Sequence, residues 1–106
     1  MDIAALKAFV AVADAGSFSR AAEHLFITQP AISKRLSALE NELRTRLFDR
    51  IGRTVSLTEA GQTLLPRARN ILLELEDSVR TLHNLSGEVH GSLRFGTSDP
   101  CERYAL

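Results

Sequence analysis

The sequence predicts a mainly α fold, in which four helices, the last by far the longest, accompany one two-stranded β-hairpin. Three observations predict it. Apolar residues recur three and four apart through residues 2–15, 29–46 and 59–86, the period of a helix with one buried face. Between the last two of these stretches, Phe48 to Leu57 loses that period and reads as two short strands about a turn near Gly52. The composition, 44% hydrophobic and 25% charged over 106 residues, is that of a globular domain with one modest core, and neither a disordered nor a fibrous chain.

Ile3, Leu6, Phe9, Val10 and Ala13 give the first helix its inner face over residues 2–15, and Gly16 stands where that helix should stop. Ser17 or Ser19 can cap a short second helix ending near Phe26. Its inward residues are Phe18, Ala21, Ala22 and Leu25, the alanines permitting close approach of a neighbouring helix. Ile27 and Thr28 make a brief turn. Thr28 can cap the third helix, and Pro30 falls in its first turn, where a missing N–H costs nothing. That helix is expected from Gln29 to Arg46. At about 100° per residue Ile32, Leu36, Leu39 and Leu43 form one stripe, with Pro30, Lys34, Ser37 and Asn41 opposite and Ser33 alongside. The longer Arg35, Glu40 and Glu42 lie beside the stripe, so the outward face is small and polar and can be pressed against another surface. An ordinary exposed helix with a few serines would read the same way.

Arg50 and Arg53 stand on either side of the expected hairpin turn. Two helices joined by a short turn and followed by a basic hairpin compose a winged helix-turn-helix, whose second helix enters the major groove while the wing reaches the flanking backbone. Thr58 then caps a fourth helix with Glu59 in its first turn, where a carboxylate suits the helix dipole. Leu64, Ala68, Ile71, Leu75, Ser78, Leu82 and Leu85 fall alternately three and four apart along it, and Leu65, Leu72 and Val79 repeat every seven beside them. This is a coiled-coil stripe with an added flank. A helix over 59–86 would be roughly 42 Å long at about 1.5 Å per residue, too long for a small head to cover. Its apolar face needs a second chain, and Leu64, Ala68, Ile71, Leu75 and Leu82 are the expected dimer seam. Pro66 should bend this helix near Gln62 without breaking it. Gly87 and Gly91 bracket an expected hinge, Ser92 to Gly96 alternates like the start of a strand, and Asp99 to Leu106 reads as a loose tail.

Net charge is zero, but it is unevenly spread. From Ser17 to Ser56, seven bases (Arg20, Lys34, Arg35, Arg44, Arg46, Arg50 and Arg53) face four acids (Glu23, Glu40, Glu42 and Asp49), whereas from Glu59 onward five bases face seven acids. A local positive field of this kind suits a phosphate-facing patch on a small domain. No stretch of about 20 apolar residues exists to cross a membrane. Ile3 to Ala13, interrupted by Lys7, has neither the basic start nor the cleavage site of a signal peptide, so a cytoplasmic location is expected. A single cysteine, Cys101, excludes an intrachain disulfide framework. His24, His83 and His90 are far apart, and Glu74, Glu76 and Asp77 are spread around a solvated helix. No metal site, cofactor, phosphate-cradling loop or nucleophile elbow is legible, and no enzyme is expected.

Leu6-Lys7-Ala8-Phe9, Gly16-Ser17-Phe18-Ser19-Arg20-Ala21-Ala22, Thr28-Gln29-Pro30-Ala31-Ile32-Ser33, Leu39-Glu40, Leu47-Phe48-Asp49-Arg50 and Leu57-Thr58-Glu59-Ala60-Gly61 recur together, in order. In these motifs the sequence resembles the LysR-type transcriptional regulators over about residues 1–97. The resemblance implies a bacterial DNA-binding regulator acting as a homodimer or higher homo-oligomer through the linker helix. It also implies that residues 92–97 begin an effector domain whose remainder, with any small-molecule effector site, is absent from this chain. Carried over residue by residue, it puts Gln29, Pro30, Ser33 and Lys34 in the major groove, and Thr28, Arg50 and Arg53 on phosphate or in the adjoining minor groove. Side-chain chemistry agrees: Gln pairs bidentately with adenine, Pro and the Ser carbon pack on a thymine methyl, and Lys donates to guanine or phosphate. Arg20 and Arg35 fit either DNA contact or internal ion pairs with Glu23 or Glu42.

The expected organisation is a winged helix-turn-helix over residues 1–58, a dimerising linker helix over 59–86, and a hinge with a truncated effector start over 87–106. The expected partner is double-stranded DNA, bound at a partly palindromic operator. The competing expectation is a fragment that pairs with a full-length relative and blocks its assembly.

Overall fold

The computed structural model describes residues 1–51 and 54–86. The elements are α1 (Ile3–Ala15), α2 (Phe18–Leu25), α3 (Gln29–Leu43), β1 (Phe48–Ile51), β2 (Thr54–Leu57) and α4 (Glu59–Ser86). Every element expected within the described residues is present. The chain divides into two compact units, Met1–Leu72 and Leu73–Leu106. The expected turn at Gly52 and Arg53, the hinge at Gly87 and Gly91, the strand at 92–96 and the tail at 99–106 lie outside the described residues.

Each helix of the first unit begins on a side chain that takes up an otherwise unbonded N–H. Asp2 Oδ1 accepts from Ala5 N at 2.8 Å, Ser17 Oγ from Arg20 N at 3.2 Å, Thr28 Oγ1 from Ala31 N at 3.2 Å and Thr58 Oγ1 from Gly61 N at 3.1 Å. Ser17 rather than Ser19 is thus the cap of α2. The helices end on left-handed residues: Gly16 (φ 68°), as its position implied, but also Phe26 (φ 58°) and Arg44 (φ 57°), where no glycine announces the stop. α3 therefore closes at Leu43, three residues short of the expected Arg46. The carboxylate of Glu40 explains the early exit, because Oε2 accepts from Leu47 N at 2.7 Å and Phe48 N at 3.4 Å and draws the chain out of the helix.

α1, α2 and α3 enclose the core, in which Phe9, Val12, Ile32, Leu39 and Leu47 are fully buried. The expected stripe on α3 is the inner one: Ile32, Leu36 and Leu39 are buried and Leu43 packs against them. β1 and β2 pair antiparallel with Phe48 opposite Leu57 and Arg50 opposite Val55. Phe48 ties this hairpin to the helices, its ring 5.4 Å from Phe9 and 6.1 Å from Phe18 between centroids. The first turns of α4 close the unit. Ala68 is fully buried, Leu64, Leu65 and Leu72 pack on the core, and Arg69 holds both oxygens of Asp14 on α1, at 2.5 and 3.2 Å. Gly61 is what lets α4 sit so close, since a Cβ there would collide with the Leu47 carbonyl oxygen and lie 2.8 Å from Leu57 Cδ2.

In the second unit α4 continues as a solvent-facing helix. It carries Leu73, Leu75, Val79, Leu82 and Leu85 exposed; earlier along α4, within the first unit, the helix passes through Pro66 unbroken. Asp77 and Arg80 pair along it at 3.7 Å.

Candidate nucleic-acid interface

Because the buried stripe of α3 faces inward, the start of that helix is left on the surface with its capped, electropositive end outward. Thr28, Gln29, Pro30 and Lys34 are exposed there, Ser33 is half-buried beside them, and Ser37 and Asn41 continue the same face. The structure thus brings together all five expected residues of the third helix. Gln29 is also tied to the preceding helix, where Ser19 Oγ donates to Gln29 Oε1 at 3.1 Å.

Arg50, exposed on β1, joins this cluster by a separate contact. Its guanidinium carbon lies 4.0 Å from the centroid of the Phe18 ring, a cation–π geometry that holds the charge over the start of α2. Phe18 and Ser19 are adjacent, so two neighbouring residues of α2 fix one side chain from α3 and one from the wing. Arg53 lies outside the described residues. Arg20 is exposed and Arg35 half-buried, and among the described residues neither pairs with Glu23 or Glu42; Glu42 instead meets the amino group of Met1. Outside this cluster, the pKa of Arg69 is raised by its hydrogen bond to Asp14 and then by that carboxylate's charge.

The expected dimer seam divides in two. Leu64 and Ala68 are covered by their own chain, whereas Ile71, Leu75 and Leu82 are exposed. Sequence periodicity could not separate them, because one uninterrupted stripe runs through both the packed and the exposed residues. Nor did it reveal the parts of Phe18, Ser19 and Glu40, whose partners lie seven to thirty-two residues away and meet them only through the crossing of elements. No described helix is long and apolar enough to cross a membrane.

Residues 3–62 match the family described as bacterial regulatory helix-turn-helix protein, lysR family. An uncharacterized HTH-type transcriptional regulator in the ibpB-leuC intergenic region of Azotobacter vinelandii is 61% identical over 98 residues, covering 92% of this chain and 68% of the relative. The HTH-type transcriptional activator CmpR of Synechocystis is 40% identical over 91 residues, 86% of this chain but 30% of its own length. Among solved structures, the CbnR DBD–DNA complex is similar with a TM-score of 0.75 at 38% identity, covering 78% of this chain and 95% of that one. The BenM DBD/benA site 1 DNA complex is similar with a TM-score of 0.79 at 31% identity, covering 84% and 100%.

Proposed function

Because the chain belongs to the lysR family of bacterial regulatory helix-turn-helix proteins and forms the DNA-binding domain of a LysR-type transcriptional regulator, we propose that it binds a partly palindromic operator as a homodimer in the bacterial cytoplasm. Its relatives are regulators, a non-enzymatic class, and the chain is not an enzyme. Residues 1–58 are the reading head and 59–86 the linker. Gln29, Pro30, Ser33 and Lys34 read base edges in the major groove, while Thr28, Arg50 and Arg53 hold phosphate or the neighbouring minor groove. Ile71, Leu75 and Leu82 face the partner chain, and Leu64 and Ala68 serve the head's own packing. The observation that carries this reading is the capped start of α3, exposed with short polar side chains and flanked by the anchored Arg50.

A two-fold dimer presents two such helices, so the target should contain two half-sites about one or two helical turns apart, roughly 34 or 68 Å. Selecting duplexes from a random-sequence pool and footprinting the enriched one tests this. Two protected half-sites related by a dyad are expected, and protection of a single isolated half-site would remove the dimeric reading.

A further inference from the structure

We infer that Ser19 is a positioning residue for base readout: its hydroxyl orients the amide of Gln29 before DNA arrives. The inference rests on the reading of Gln29 given above. An exposed glutamine samples many rotamers, and ordering it against a base edge costs entropy that a bond already made in the free protein lowers. Ser19 Oγ donates to Gln29 Oε1 at 3.1 Å, which turns the amide oxygen toward α2 and leaves both Nε2 protons for the DNA. The oxygen keeps a second lone pair. It can therefore still accept from adenine N6 while Nε2 donates to N7, and the hydroxyl, amide and base then form one polarised chain. The helix has no other use for this hydroxyl, because Ser17 caps α2. Both partners are exposed, so the bond adds little to the fold.

The test uses Ser19→Ala, Ser19→Thr, Gln29→Ala and the Ser19→Ala/Gln29→Ala pair in the full chain. Each is titrated across a salt series against the duplex that the wild-type chain enriches and against its single-base-pair variants. Ser19→Ala should weaken binding to the enriched duplex about three- to tenfold and flatten preference at the same base pair as Gln29→Ala, with the salt slope unchanged. Ser19→Thr should restore both, and Ser19→Ala should cost nothing further once Gln29 is gone. An equal loss in the Gln29→Ala background, or a lowered salt slope, would mean that Ser19 touches phosphate itself and would overturn the inference. Unaltered base preference in Ser19→Ala beside a flattened one in Gln29→Ala would overturn it while leaving the role of Gln29 intact. If Gln29→Ala alone flattened nothing, the reading of α3 would fail first and the inference with it.

Discussion

Gly61 has no room for a side chain, because the Leu47 carbonyl stands where a Cβ would point. Backbone cannot move aside as a flexible side chain can, so Gly61→Ala should destabilise by about 1–3 kcal/mol through overpacking, although alanine favours helices. Chemical denaturation should show the loss with an unchanged denaturant slope; a stabilised variant would mean that α4 seats itself differently. The two kinds of DNA contact separate at the same scale. Gln29→Ala should cost about 1–3 kcal/mol on the preferred sequence and relax preference at one base pair. Arg53→Ala should weaken every sequence alike and lower the slope of log affinity against log salt by about one per head. Titrations in which these two patterns were exchanged would reverse the roles of helix and wing.

Among the elements, α4 makes two different demands on one apolar stripe, and its outer part is the better place to test association. Leu75→Asp should dissociate the dimer, since a carboxylate in an apolar seam loses several kcal/mol of solvation unless it stays protonated. Leu73→Asp is the control: two residues earlier, about 200° around the helix, it points away from Leu75 and should leave association unchanged. Sedimentation giving an intact Leu75→Asp dimer would count against the seam. Periodicity also explains how far the elements were legible. The stripe of Ile32, Leu36 and Leu39 and the caps Thr28 and Thr58 are local signals, and they placed α3 and the start of α4 correctly. The end of α3 was not legible, because it depends on a carboxylate at 40 bonding amides at 47 and 48 and on a left-handed arginine, neither of which any propensity marks. The cluster at the start of α3 was legible by residue type; its bracing by Phe18 and Ser19 required the crossing of α2 and α3 and the return of β1.

For the molecule as a whole, zero net charge conceals a basic head whose Arg20, Lys34, Arg44, Arg46 and Arg50 all reach solvent. Its acids are fewer, and Glu40 is half-buried against the backbone amides of Leu47 and Phe48. Attraction to DNA is thereby kept to one region while the chain as a whole carries no excess charge. The left-handed helix ends at Phe26 and Arg44 bear on a separate property, resistance to heat. A side chain in that region costs about 1 kcal/mol or more relative to glycine, and Phe26 gains no burial in return, being 93% exposed. Part of that strain is recoverable. Phe26→Gly and Arg44→Gly, each offset by the greater freedom of an unfolded glycine, should net about 0.5 kcal/mol and raise the thermal midpoint by a few degrees. Calorimetric scans giving lower midpoints for both would show that the side chains, not the backbone, set the balance there. A head with such slack left at two exposed corners has room to absorb destabilising changes on its reading face, so variation at Gln29 or Lys34 can redirect base preference before the fold itself becomes limiting.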